Sequence, residues 1–157
     1  MEHFYKNLGE EWFTYPELYT YIVNKFPTNS HFVEVGIKNG EIEDSLRDNL
    51  YEVFLKNIEP VKHQINPVKA LSWDGAAFYK DNSLDFVFID AAHDYESVKK
   101  DINAWYPKVK KEGIIGGHDY TWCDDVRRAV NEFFKNKTIY ESQGCWFVLL
   151  NENNENI

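Results

Sequence analysis

SLDFVFIDAAHDYESVKKDINAWYPKVKKEGIIGGHDYTW, residues Ser83–Trp122, holds two short apolar runs that each lead into a His-Asp-Tyr triplet. The first run, Phe86-Val87-Phe88-Ile89, stops at Asp90 and reaches His93-Asp94-Tyr95. The second, Gly113-Ile114-Ile115-Gly116-Gly117, reaches His118-Asp119-Tyr120. Continuous runs of β-branched and aromatic residues are the pattern of strands buried on both faces. Between them Val98, Ile102, Trp105 and Val109 recur at helical spacing, with Lys99, Lys100, Asp101 and Asn103 read as lying outside the stripe. Strand, helix, strand is a βαβ unit with parallel strands and a right-handed crossover. If the two strands are neighbours, Asp90, His93, His118 and Asp119 gather at the carboxyl edge, where open parallel sheets bind ligands.

Outward from this unit the chain keeps alternating. Pro16 opens a helix with Leu18, Ile22 and Phe26 on one stripe, closed at Phe26-Pro27. A strand at residues 31–36 ends in Glu34-x-Gly36-x-x-x-Gly40, a sparse glycine turn that is more often an ordinary turn than a place where backbone approaches a ligand. A helix is expected from Ser45 to Pro60, then a short edge strand over residues 65–71 despite Pro67. Ser72 is expected to cap a short helix reaching Tyr79. After Tyr120 the pattern predicts a helix from about Asp124 to Phe134 and a hairpin from residues 138–141 and 145–150.

Hydrophobic residues make up 43% of the 157, enough for one domain with a true core. Residues 1–157 read as that single domain, with residues 1–13 as an arm and 151–157 as a frayed tail. The net charge of -9 lacks the broad positive footprint of a nucleic-acid binder. The Lys108–Lys111 run reads as a solvated helix end. No apolar run approaches the ~20 residues of a membrane span, and the start is unlike a signal peptide. The expectation is an intracellular, cytoplasmic protein with no membrane partner, its two cysteines, Cys123 and Cys145, reduced.

The stretches Phe32–Gly36, Asp85–Tyr95 and Gly113–Tyr120 together resemble the class I S-adenosylmethionine-dependent methyltransferases, in the branch of small-molecule O-methyltransferases and cephalosporin-hydroxylase-like enzymes. The resemblance implies a doubly wound, mostly parallel Rossmann-like sheet ending in an antiparallel hairpin. It implies S-adenosylmethionine contacts at Glu34, Gly36, Gly40, Ser72 and Asp90. It places a divalent cation such as Mg2+ on Asp90, His118 and Asp119, with His93 as the base that takes the proton of a small-molecule hydroxyl and Asp90 beside it in the catalytic set. Against the family pattern, about one helix and one strand are missing after the glycine turn, because the linker to the Ser45 helix is too short for ~15–20 residues. A sheet shortened in this way invites a homodimer across its exposed edge.

Three other readings follow from the same residues. Asp90 and Asp119 could cap helices instead of holding a ligand. The chain could be a non-catalytic methyltransferase-like binding or assembly module. It could also keep only the metal edge and perform hydrolytic or oxidative chemistry. Trp73, Trp105, Trp122 and Trp146 are expected in the core or a pocket wall, with Tyr95 and Tyr120 covering the sheet edge.

Overall fold

A computed structural model describes residues 16–36 and 62–151, together with Glu52, Leu55, Lys56 and Glu59. The elements are α1 (Pro16–Lys25), β1 (Phe32–Val35), α2 (Ser72–Gly75), β2 (Leu84–Ile89), α3 (Tyr95–Trp105), β3 (Val109–Gly117), α4 (Asp124–Phe133), β4 (Tyr140–Ser142) and β5 (Cys145–Leu149). The strands form one sheet in the order β1-β2-β3-β5-β4. The first three run parallel, and β5 pairs antiparallel with both β3 and β4.

β2 is buried at all six positions because helices lie on both of its faces. Phe86 and Phe88 point one way, against Leu18 and Ile22 of α1, with Ile114 and Cys145 beside them. Val87 and Ile89 point the other way, into the larger core with Val98, Ile102 and Trp105 of α3 and Val126 and Val130 of α4. This alternation is the doubly wound arrangement that the continuous apolar run predicts. No helix among the described residues is long and apolar enough to cross a membrane.

The hairpin turn is Gln143-Gly144, with φ of 52° and 79°. Two positive φ values in a two-residue loop suit the right-handed twist of the flanking strands. Among the described residues β1 pairs with β2 alone; the segment after Gly36, where a helix and a strand are expected to be missing, lies outside the described residues. The arm 1–13, Gly40 and most of the expected Ser45 helix lie outside the described residues; Glu52, Leu55 and Lys56 within that helix are helical.

Several expected boundaries are corrected. α3 stops at Trp105, its last helical bond running from the Tyr106 amide to the Ile102 carbonyl. Pro107 follows inside a 3-10 turn over Tyr106–Lys108, and lacking an N–H it cannot continue the ladder. Val109 therefore starts β3 instead of ending a helix. Of the lysine run only Lys108 ends a helix, the 3-10 turn, and it pairs with Asp81 at 2.6 Å, whereas Lys110 and Lys111 lie in β3 and Lys110 pairs with Asp85 at 2.7 Å. Residues 65–71 form no strand, consistent with the missing donor at Pro67. Ser72 is the first residue of α2, and Leu71 occupies the cap position with no side-chain bond.

Asp101 is the largest departure. It lies three residues after Val98 and four before Trp105, so it shares their face, and it is fully buried. Its Oδ1 accepts from the Ser72 hydroxyl at 2.5 Å, while Oδ2 has no hydrogen-bond partner. Burial pushes its carboxyl up from 3.8 to about 6, with the Ser72 bond opposing the rise and the Asp94 charge adding to it. A carboxyl whose folded pKa is raised contributes stability that is fully present below about pH 4 and is lost as the pH rises through about 6. Replacing Asp101 with Asn removes that loss. The melting temperature of Asp101→Asn minus that of the wild type should therefore climb between pH 4 and 7; a difference that stays flat contradicts this role for Asp101.

Candidate active site

The site is set by strand register. Ile89 pairs with Gly117, so the residues that follow, Asp90 and His118, leave the sheet side by side. The His118 amide donates to the Ile89 carbonyl at 3.1 Å, and the Asp90 amide to the Val35 carbonyl at 2.7 Å, so β1, β2 and β3 end together. Two glycines permit this. Gly36 has φ of 125°, and a Cβ there would stand 1.8 Å from the Asp90 carbonyl oxygen. A Cβ on Gly117 would stand 2.4 Å from the Ile89 carbonyl oxygen and 2.8 Å from the Trp146 indole nitrogen. Both positions are too close for any side chain.

At this edge His93 Nε2 lies 3.0 Å from Asp119 Oδ2 and 3.5 Å from Asp90 Oδ1. Asp90, His93 and Asp119 each offer one ligand atom within 4.8 Å of the others. His118 is outside this trio; its Nδ1 stands 3.4 Å from Asp119 Oδ1, on the flank. Of the expected set, Asp90 and Asp119 converge with His93 between them, while His118 stands beside Asp119. Asp119 has φ of 59°, in the left-handed region that Asp tolerates better than most residues. Neither Asp90 nor Asp119 caps a helix. α3 is capped by Asp94, whose side chain accepts from the Ser97 amide at 3.1 Å, and α4 has no side-chain cap. That bond to Ser97 also holds the Asp94 carboxyl below its ordinary range.

Glu34, at the end of β1, accepts from the Tyr19 hydroxyl at 2.8 Å. Its side chain still reaches solvent, yet the crowding of protein around it raises its carboxyl pKa, the Tyr19 bond opposing and the nearby Asp90 charge adding to the rise. Ser72 stands apart from this edge in its bonding: its hydroxyl is given to Asp101, and its carbonyl accepts from Trp105 Nε1 at 3.0 Å. Tyr95 and Tyr120 pack against the core that includes Ile89 and Ile115, and their hydroxyls reach α4, Tyr95 to Glu132 and Tyr120 to Asn131. Trp105 and Trp146 are core as expected, whereas Trp122 is 65% exposed. Sequence reasoning missed Tyr19 and also Cys123, whose thiol donates to the His93 carbonyl at 3.4 Å.

A family model described as a methyltransferase domain matches residues 17–120. The chain belongs to the methyltransferase-domain family. Its fold is also that of solved methyltransferases. MycE, from the mycinamycin biosynthetic pathway and solved with Mg, SAH and mycinamycin VI, is 13% identical with a TM-score of 0.59, over 90% of this chain and 50% of that one. The O-methyltransferase NovP is 15% identical with a TM-score of 0.54, over 80% of this chain and 62% of that one. An uncharacterized protein of Acanthamoeba polyphaga mimivirus is 36% identical over 75 residues, 43% of this chain and 34% of its own length. This methyltransferase-family chain thus spans about a third of that relative and half of MycE.

Beneath the site lies Cys145, fully buried. Burial, reinforced by the charges of Asp90 and Asp119, pushes its thiol up to about 12. The thiolate is the reactive form, so the two cysteines should differ sharply. Iodoacetamide at pH 8 is expected to label partly exposed Cys123 readily and Cys145 about a hundredfold more slowly until the protein is denatured. Equal rates, read by mass spectrometry, contradict the burial of Cys145 under the carboxylates.

Proposed function

We propose that this chain transfers a methyl group from S-adenosylmethionine to a hydroxyl of a small molecule, with a divalent cation at the Asp90–Asp119 edge. The observation that carries the reading is the convergence of Asp90, His93 and Asp119 where β2 and β3 end, within a chain of the methyltransferase family. The solved relative MycE holds Mg and SAH, which supports the same pair of ligands here.

The two carboxylates fit a divalent cation: an oxygen of Asp90 and one of Asp119 converge within 4.8 Å, with His93 Nε2 beside them as the base. Oxygen donors suit Mg2+, and an imidazole shifts preference toward transition metals. Bound there, the cation would polarise an acceptor hydroxyl and lower its pKa.

The chain's own residues divide the remaining work. Asp90 and Asp119 hold the acceptor end. Glu34, beside Asp90 at the end of β1, presents a carboxylate to the polar groups of the cofactor's methionine and ribose, and Gly36 brings that strand end against the Asp90 backbone. His93 receives the hydroxyl proton at Nε2. That nitrogen cannot bind a cation and accept a proton at once. Its side chain is 48% exposed on the loop before α3, so an acceptor hydroxyl can reach it from solvent.

Two measurements test this. Calorimetric titration with S-adenosylmethionine should release or absorb heat with the wild type; a flat titration of folded protein supports the rival reading of a binding or assembly module. Mn2+ binding should fall at least about tenfold in Asp90→Asn and Asp119→Asn and change little in His118→Gln. His93→Gln should keep Mn2+ affinity within a few-fold and lower the methyl-transfer rate by about 10²–10⁴, the range of a general base. Loss of Mn2+ binding in His93→Gln would make it a ligand and remove it as the base.

A further inference from the structure

Trp122 is a large apolar side chain left 65% exposed three residues after Asp119. A tryptophan in that position loses apolar contact with the core, so its placement calls for an account. The loop that carries it is fastened on every side. The Tyr120 amide donates to the Gly144 carbonyl at 2.9 Å, and the Cys123 amide to the Asp119 carbonyl at 2.9 Å. The Thr121 hydroxyl donates to Glu141 Oε1 at 2.8 Å, and Arg127 Nη1 to the Thr121 carbonyl at 3.2 Å.

The indole itself is wedged. Gly144 has φ of 79°, and a Cβ there would stand 2.4 Å from Trp122 Cζ2, so the hairpin turn is hollowed out where the ring rests. The His118 ring meets it edge-on with centroids 6.4 Å apart, and His118 flanks Asp119. The exposed ring therefore stands beside the His118 ring, which in turn flanks Asp119 of the carboxylate edge.

We infer that Trp122 is the acceptor platform: the methyl acceptor carries a flat or ring-shaped apolar face, arene or sugar, that stacks on this indole while its hydroxyl reaches the Asp90–Asp119 edge. An acyclic polyol offers hydroxyls but no such face and gains nothing from the indole. The inference rests on the methyl-transfer reading, since it takes that edge as the acceptor end. It adds the shape of the acceptor.

The test is ligand-observed NMR titration without cofactor, using catechol and p-nitrophenyl β-D-glucopyranoside as ring probes and glycerol as the acyclic one. Both ring probes should bind the wild type more tightly than glycerol does. Trp122→Ala should weaken them about fivefold to tenfold, the order of one aromatic stack. Trp122→Phe should restore most of the affinity and Trp122→Leu, apolar but not flat, should not. Ring probes that bind no better than glycerol, or equally well to wild type and Trp122→Ala, overturn the inference whatever an S-adenosylmethionine titration shows. A flat cofactor titration with Trp122-dependent ring binding would instead fault the methyl-transfer reading alone.

Discussion

The parallel pairing of β2 with β3 is the constraint on which the site depends. Its register sets Ile89 opposite Gly117, and the backbone then has one way to leave the sheet on each strand. Because Gly117 lacks a Cβ, the Ile89 carbonyl and the Trp146 indole can press against it. Because Gly36 lacks one as well, β1 ends against the Asp90 backbone. A slip of one residue in either pairing would reverse every side chain and send the carboxylates to opposite faces. The apolar alternation of β2 forbids such a slip, since Phe86 and Phe88 would trade cores with Val87 and Ile89.

What the register assembles is electrostatically uneasy. Asp90, Asp119 and Glu34 bring negative groups to one edge, and burial, with the charge of Asp90 adding to it, raises the Glu34 carboxyl. His93 lies between the two aspartates. Asp119 holds a left-handed backbone conformation that most residues avoid, and such outliers are kept where surrounding structure enforces them. Here the enforcement is visible in the bonds on either side, from His118 to Ile89 and from Cys123 to Asp119. An edge built this way suits a cation and a nucleophile better than it suits stability alone.

Much of this was legible in the residues. The βαβ unit announces itself through Phe86–Ile89 and Gly113–Gly117, and the convergence of Asp90, His93, His118 and Asp119 follows from parallel strands alone. The pattern failed where a local break interrupts it: Pro107 ends α3, and Val109 passes from a helical stripe to a strand although its spacing fits either. It failed again at Asp101, which occupies a buried face position that polarity disguises, and at Trp122, where an aromatic residue reads as core by default. The choice between His93 and His118 as the imidazole among the carboxylates was beyond sequence. It turns on ring orientation across two loops, and no periodicity encodes that. Tyr19 was equally hidden, because its bond to Glu34 joins elements that become neighbours only after the sheet is covered.

The central claim is that Asp90 and Asp119 form one ion-binding edge rather than two unrelated turn residues. Anomalous diffraction from a crystal soaked in Mn2+ and S-adenosylmethionine tests it most directly. The account predicts a single strong peak within coordination distance, about 2.0–2.6 Å, of both carboxylates. A Mn2+ peak elsewhere, or none beside Asp90 and Asp119 with the protein intact, would contradict it.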